Sequence, residues 1–206
     1  VPDDDLALAK RIAAGDEAAF LSFLDAVGPT LKRLCHALVR NPATAEEVVQ
    51  ETWTAIFDGI ASFEGRSALK TWACRILVNT AKKRVAREAR SVPMSAIGGD
   101  DEAESGVVDP ARFDAAGFWV APPTALGEGC TPEGLAVRKE VQQVIRQALE
   151  ELPEAQRAVV TLRDVEGWDS AEVCNALDLS ETNQRVLLHR GRARIRAKLE
   201  LYLAGT

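Results

Sequence analysis

Two stretches of this chain have residue types and spacing suited to holding nucleic acid. The first lies around Trp72. At about 100° per residue, Arg75, Asn79, Lys82 and Lys83 fall on the face of Trp72, beside an apolar set of Leu69, Ala73, Ile76, Leu77 and Thr80. Ammonium and guanidinium groups suit phosphate, an indole suits an unstacked base, and an amide suits a base edge. The plainer reading of the same pattern is a solvated charged face with a half-buried Trp. The second stretch runs from Ser170 to Arg190. A short apolar-patterned segment, the turn Asp178-Leu179-Ser180 and a longer segment match a helix-turn-helix. Ala171, Val173, Cys174, Leu177, Leu179 and Leu188 form its packing set, and Asp178 suits a left-handed turn residue. The longer segment carries Asn183, Arg185, Arg190, Arg192, Arg194 and Arg196. His189, among these cations, reads as a phosphate contact or a packing residue. An ordinary helical hairpin with a basic tail is the plainer alternative.

The elements that position these residues are helical throughout. Asp4 or Asp5 is expected to cap a first helix, and Asp16 a second, which Gly28-Pro29 should kink or split. Thr44 is expected to cap a third helix running to about Ile60. A loop then leads from Ala61 to Arg66, and Ser67 starts a fourth helix of about 23 residues. Residues 93–133 lose all periodicity and gather Pro, Gly and acidic groups, which marks a flexible acidic linker. Phe113, Phe118 and Trp119 within it are unusual for solvated chain and suggest docking. Helices resume at Gly134. Pro153 opens one that stops at Gly167, Asp169 or Ser170 caps a short one, and the last runs from about Glu181 to Leu203. The expected fold is all-α: two small helical domains, 1–92 and 134–206, joined by the linker 93–133.

Charge distribution supports this division. The net charge is -6 over 206 residues, which argues against a protein that simply coats DNA. Yet residues 61–94 hold 8 basic against 2 acidic groups, and residues 180–198 hold 6 against 1. Two short basic blocks are thus embedded in an acidic chain. Cys35, Cys74, Cys130 and Cys174 are scattered singly, without metal-ligand or redox spacing. They read as reduced thiols, three of them small buried hydrophobes. No apolar run reaches the roughly 18 residues of a membrane span. Val1-Pro2-Asp3-Asp4-Asp5 is acidic where a secretory leader would be basic. A cytoplasmic protein is expected, with no cofactor, no metal and no small-molecule substrate. No nucleophile–base pair or phosphate loop points to an enzyme.

Two blocks resemble a known family. Residues 45–83, AEEVVQETWTAIFDGIASFEGRSALKTWACRILVNTAKK, resemble region 2 of extracytoplasmic-function (ECF) sigma factors. Residues 152–196, LPEAQRAVVTLRDVEGWDSAEVCNALDLSETNQRVLLHRGRARIR, resemble their region 4. The resemblance implies a bacterial promoter-specificity subunit of RNA polymerase. It implies that the helix with Glu46, Val49, Gln50 and Trp53 docks on core polymerase. It implies that the loop with Ser62, Phe63 and Arg66 captures a flipped −10 base, and that Lys70, Trp72, Arg75, Asn79, Lys82 and Lys83 hold the melted strand. It places Arg185 at the −35 element, with Asn183, His189, Arg190 and Arg192 beside it. An anti-sigma factor is the further partner implied. Gln184 departs from the family, which usually has an apolar residue there. Val186 and Leu187 stand where polar residues are common. This exchange would rotate the apolar face of the recognition helix. The competing readings are a free-standing helix-turn-helix regulator with a helical sensor or dimerisation domain, and a helical adaptor that binds only protein.

Overall fold

The computed structural model describes residues 2–91 and 132–204, with side chains described over 4–87 and 140–204. Most of the acidic linker, with Phe113, Phe118, Trp119 and Cys130, lies outside the described residues. Every regular element among the described residues is helical. The first group comprises α1 (Pro2–Ala13), α2 (Glu17–Leu38), α3 (Pro42–Gly59), a 3-10 turn (Ile60–Ser62) and α4 (Leu69–Ser91). The second comprises α5 (Pro132–Glu151), α6 (Glu154–Val160), a π-helical turn (Thr161–Val165), α7 (Ser170–Leu177) and α8 (Glu181–Ala204).

Local chemistry explains most of the boundaries. Asp16 accepts the Ala19 N–H at 3.0 Å and starts α2. Asn41, not Thr44, caps α3, with Pro42 in its first position, while Thr44 is buried. Asp169 caps α7 in a reciprocal capping box with Glu172. Asp178 ends α7 in the left-handed conformation, φ 58°, as the turn reading expected. Two further expectations fail. Asp5 does not cap its own helix; its carboxylate accepts the Leu69 N–H at 2.8 Å and caps α4 instead. Gly28-Pro29 does not split α2, which runs unbroken through both. Proline costs α2 the hydrogen bond to the carbonyl of Asp25, but Pro29 and Asp25 are both exposed, so water can replace it. Gly28 is buried against the Trp53 indole.

The two groups pack together over one continuous core. Leu31, Leu34, Ile56, Leu69 and Leu77 of the first join Leu152, Val159, Leu162 and Val173 of the second. Burying each such side chain contributes about 1.5–3 kcal/mol. α4 lies against α7, and α2 against α6. The packing of α7 explains why Thr71, Cys74 and Val78 are buried although they lie off the apolar stripe read from the sequence. Polar groups fix the seam. Arg157 is buried; its Nε donates to the Ala37 carbonyl at 2.7 Å and its Nη1 to the Glu150 carbonyl at 3.1 Å. Both carbonyls sit in the last turn of a helix, where backbone acceptors lack partners and a cation is favoured. Burial nonetheless lowers the Arg157 pKa. Glu166 accepts from Thr30 Oγ1 at 2.6 Å and from Arg33 Nε. Burial pushes the Glu166 carboxyl up, but the hydrogen bonds from Arg33 and Thr30 outweigh it and hold its pKa below the usual value.

Cys35 and Cys74 are buried, and burial raises their thiols to about 11 and about 12. Cys174 is only half-buried.

Candidate nucleic-acid interface

The first face is a cleft of about 340 Å³ at the start of α4. Ser62, Phe63, Arg66, Trp72, Arg75 and Asn175 line it, together with Glu64 and Ser67. Its shape comes from the tight passage between α3 and α4. Ser62 Oγ donates to the Gly59 carbonyl at 2.7 Å, closing the 3-10 turn. Gly65 takes φ +70°, a conformation glycine adopts without strain. Phe63 is buried edge-on against Trp72, with ring centroids 5.5 Å apart. The Asp5 carboxylate fixes the first N–H of α4. The cleft therefore has an aromatic floor and a polar, partly cationic rim. Asn79, Lys82 and Lys83 are exposed further along α4, and so is Arg87.

Lys70 is not on the cleft side of α4. It pairs with Glu172 at 3.0 Å and lies 4.7 Å above the Trp168 ring. On the other flank of α7, Arg75 Nη1 donates to Asn175 Oδ1 at 3.4 Å. α7 thus engages two of the cations that the resemblance assigned to DNA. Arg66 pairs with the neighbouring Glu64, both exposed.

The second face is the first half of α8. Ser180 Oγ accepts the Asn183 N–H at 3.2 Å. Gln184 is 1 % exposed, and its Oε1 accepts from Ser170 Oγ at 3.0 Å. The apolar face is therefore not rotated. Gln184 takes the buried place of the family's apolar residue by hydrogen-bonding to the start of α7. Asn183, Arg185 and Arg190 point outward and His189 is half-buried. Arg185 keeps a long contact with Glu181 at 3.4 Å, one turn back and equally exposed. Arg192 departs from expectation. It makes a two-pronged pair with Asp164, at 3.0 and 2.7 Å, which ties α8 to the π-helical turn.

The third face lies on α3. Glu46 and Gln50 are exposed, and Trp53 is half-buried against Phe20 and Phe23. Val49, expected on this surface, is 8 % exposed and belongs to the core. Sequence reasoning missed Phe57, which is 57 % exposed two turns after Gln50 on the same face. Its signal was an aromatic at helical spacing outside the core stripe. Among the described residues, no group of His, Cys, Asp and Glu could hold a metal ion, and no helix is long and apolar enough to cross a membrane.

Comparison with known proteins matches both regions that carry the first two faces. Residues 23–91 match the family described as Sigma-70 region 2, and residues 142–195 match Sigma-70, region 4. The ECF RNA polymerase sigma-E factor of Escherichia coli K12 is 29 % identical over 196 residues, covering 95 % of this chain and 94 % of that protein. That of Haemophilus influenzae is 29 % identical over 197 residues, with 95 % of each chain covered. Two solved structures share the fold. CnrH, solved with the cytosolic domain of CnrY, has a TM-score of 0.58 at 20 % identity, covering 96 % of this chain and 97 % of that one. The sigma factor RpoE of Bartonella quintana, solved with the anti-sigma factor NepR, has a TM-score of 0.60 at 22 % identity, covering 88 % and 96 %. With both regions matched in order and the fold shared, this chain belongs to the sigma-70 family, in its ECF group.

Proposed function

We propose that this chain binds core RNA polymerase, directs it to promoters by reading −35 and −10 elements, and helps melt the DNA for initiation. The observation that carries this reading is the pairing of two unlike surfaces in one chain. One is an aromatic-floored cleft fit for an extruded base, and the other a helix-turn-helix fit for duplex. Extruding a base costs a few kcal/mol, and stacking on an aromatic returns roughly 1–3 kcal/mol. A small protein cannot hold a bubble open alone on those terms. Docked through α3 on a large polymerase, with a second anchor on duplex DNA, it can.

In the residue-level reading, Ser62, Phe63, Arg66 and Trp72 receive the flipped base. Arg75, Asn79, Lys82 and Lys83 follow the melted strand. Asn183, Arg185 and Arg190 face the upstream element. Glu46, Gln50, Trp53 and Phe57 meet polymerase. Strand binding through Lys70 and Arg75 exchanges their contacts with Glu172, Trp168 and Asn175, so α7 moves off α4 when the promoter is engaged. The chain acts by binding in the cytoplasm, without catalysis of its own. An anti-sigma factor is a fitting partner by analogy with the solved Bartonella relative. A region 2 match over residues 23–91 takes the place a sensor domain would need, which favours this reading over a free-standing regulator.

The test is run-off transcription with bacterial core polymerase over a library of promoter fragments. Transcripts that depend on the chain and share upstream and −10 elements are expected. No transcripts, with specific duplex binding by the chain alone, would return the reading to a free-standing regulator. Pull-down from the host should recover polymerase and one further stoichiometric protein; polymerase alone would remove the anti-sigma partner.

A further inference from the structure

The outward face of α8 has a single apolar side chain at its centre. Gln184, Leu188 and Gly191 are buried and fix which way the first half of the helix turns. At about 100° per residue, Val186 lies within roughly 15° of directly opposite that buried set. It is 41 % exposed. Thr182, one turn earlier, is exposed on the same strip. Asn183 and Arg190 flank the strip on one side, and Arg185 and His189 on the other.

The rotation of this helix is held firmly. Ser170 donates to Gln184, and Ser180 accepts from the Asn183 N–H. Gly191 packs so closely on α6 that a Cβ there would lie 2.7 Å from Val160 Cγ2. With the polar flanks directed at base edges and phosphates, a helix seated in the major groove carries the Val186 isopropyl group toward the groove floor. A polar base edge facing that group would lose its water without gaining a hydrogen bond, which is costly. The groove offers one apolar feature on a base-pair edge, the C5 methyl of thymine.

We propose that Val186 is a specificity-determining residue that reads a thymine methyl at the centre of the upstream element. The assignment rests on the upstream-reading role proposed for α8, and it turns a departure from the family's polar preference into a sequence preference particular to this chain.

The experiment uses the full chain with core polymerase. An upstream element is first selected from a randomised duplex library. Each thymine in it is then replaced singly by uracil, which removes the methyl and keeps every hydrogen-bonding group. At one position, uracil should weaken promoter-complex formation about three- to fivefold, as expected for one buried methyl group. V186A should abolish the thymine–uracil difference at that position alone, and V186T should keep part of it. Val186 is exposed, so both variants should fold; an unchanged thermal midpoint checks this. Absence of any uracil-sensitive position, or sensitivity that survives V186A, overturns the assignment. A holoenzyme that selects an upstream element yet ignores uracil leaves the role of α8 standing and removes only Val186. A holoenzyme that selects no upstream element removes both.

Discussion

α4 and α8 are nearly equal in length, at 23 and 24 residues, and each carries one of the two basic blocks. They use those charges in opposite order along the helix. In α4, the cations of the first half are engaged by α7, through Lys70–Glu172 and Arg75–Asn175. Lys82, Lys83 and Arg87 in its later turns are exposed, while Arg84 is drawn back to Glu47 and Glu51 of α3. In α8 the first half faces outward. Beyond it, Arg192 binds Asp164, Arg194 binds Gln156, Arg196 binds Glu200 and Lys198 binds Glu151. A run of arginines in a sequence therefore measures two things at once, a surface for phosphate and a set of ties to neighbouring helices. Exposed ties of this kind are worth only about 0–1 kcal/mol, so partners can exchange them.

The largest expected effect breaks the α4 side. Trp72→Ala removes the stacking plane and the floor under Phe63. It should reduce promoter opening by about tenfold or more, in line with stacking worth roughly 1–3 kcal/mol per base. Binding to core polymerase should stay near normal; permanganate reactivity of the bubble and a binding assay separate the two. Wild-type opening by this variant would remove Trp72 from the melted-strand role.

The next effect tests the two halves of α8 against each other. Arg185→Ala should cost roughly 1–3 kcal/mol at one upstream base pair if its guanidinium grips a base edge. Arg192→Ala should leave upstream preference intact and lower the thermal midpoint instead, because it breaks the pair with Asp164. An Arg192→Ala holoenzyme with altered preference would return that residue to the DNA face.

Gly191→Ala then probes the spacing of α6 and α8. The added methyl meets Val160 and should destabilise the fold by about 1–3 kcal/mol, read by denaturant unfolding. The smallest effect concerns the seam. The Glu166 carboxyl is held below its ordinary 4.5, so its contribution is full above that pH. It is lost as the pH falls through the lowered value. Glu166→Gln should flatten this acid limb of the stability curve. An unchanged limb would place the acid sensitivity elsewhere.

Much of this was legible because it depends on neighbours in sequence. The left-handed Asp178, the capping Asp169, the start of α8 and the grouping of Arg75, Asn79, Lys82 and Lys83 all follow from spacing within a few residues. What escaped depends on distant partners. Asp5 looked like a cap for its own helix because nothing local pointed to Leu69, which lies 64 residues on. Pro29 looked like a break because its exposed setting was invisible. Thr71, Cys74 and Val78 looked peripheral because the stripe on α4 was read as facing one partner, and it has a second in α7. Arg192 looked like its neighbours because Asp164 lies 28 residues away in sequence.

Cys74 turns the packing of α7 on α4 into a clock. The thiol is fully buried, within electrostatic reach of Glu166 and Lys70, and burial raises it to about 12. Alkylation needs the thiolate and a path to it, and the closed arrangement denies both. A reagent added to the native protein can therefore react at Cys74 only as often as the fold opens there. Its rate of capture times the parting of the two regions, free in solution or on the polymerase, with no label introduced.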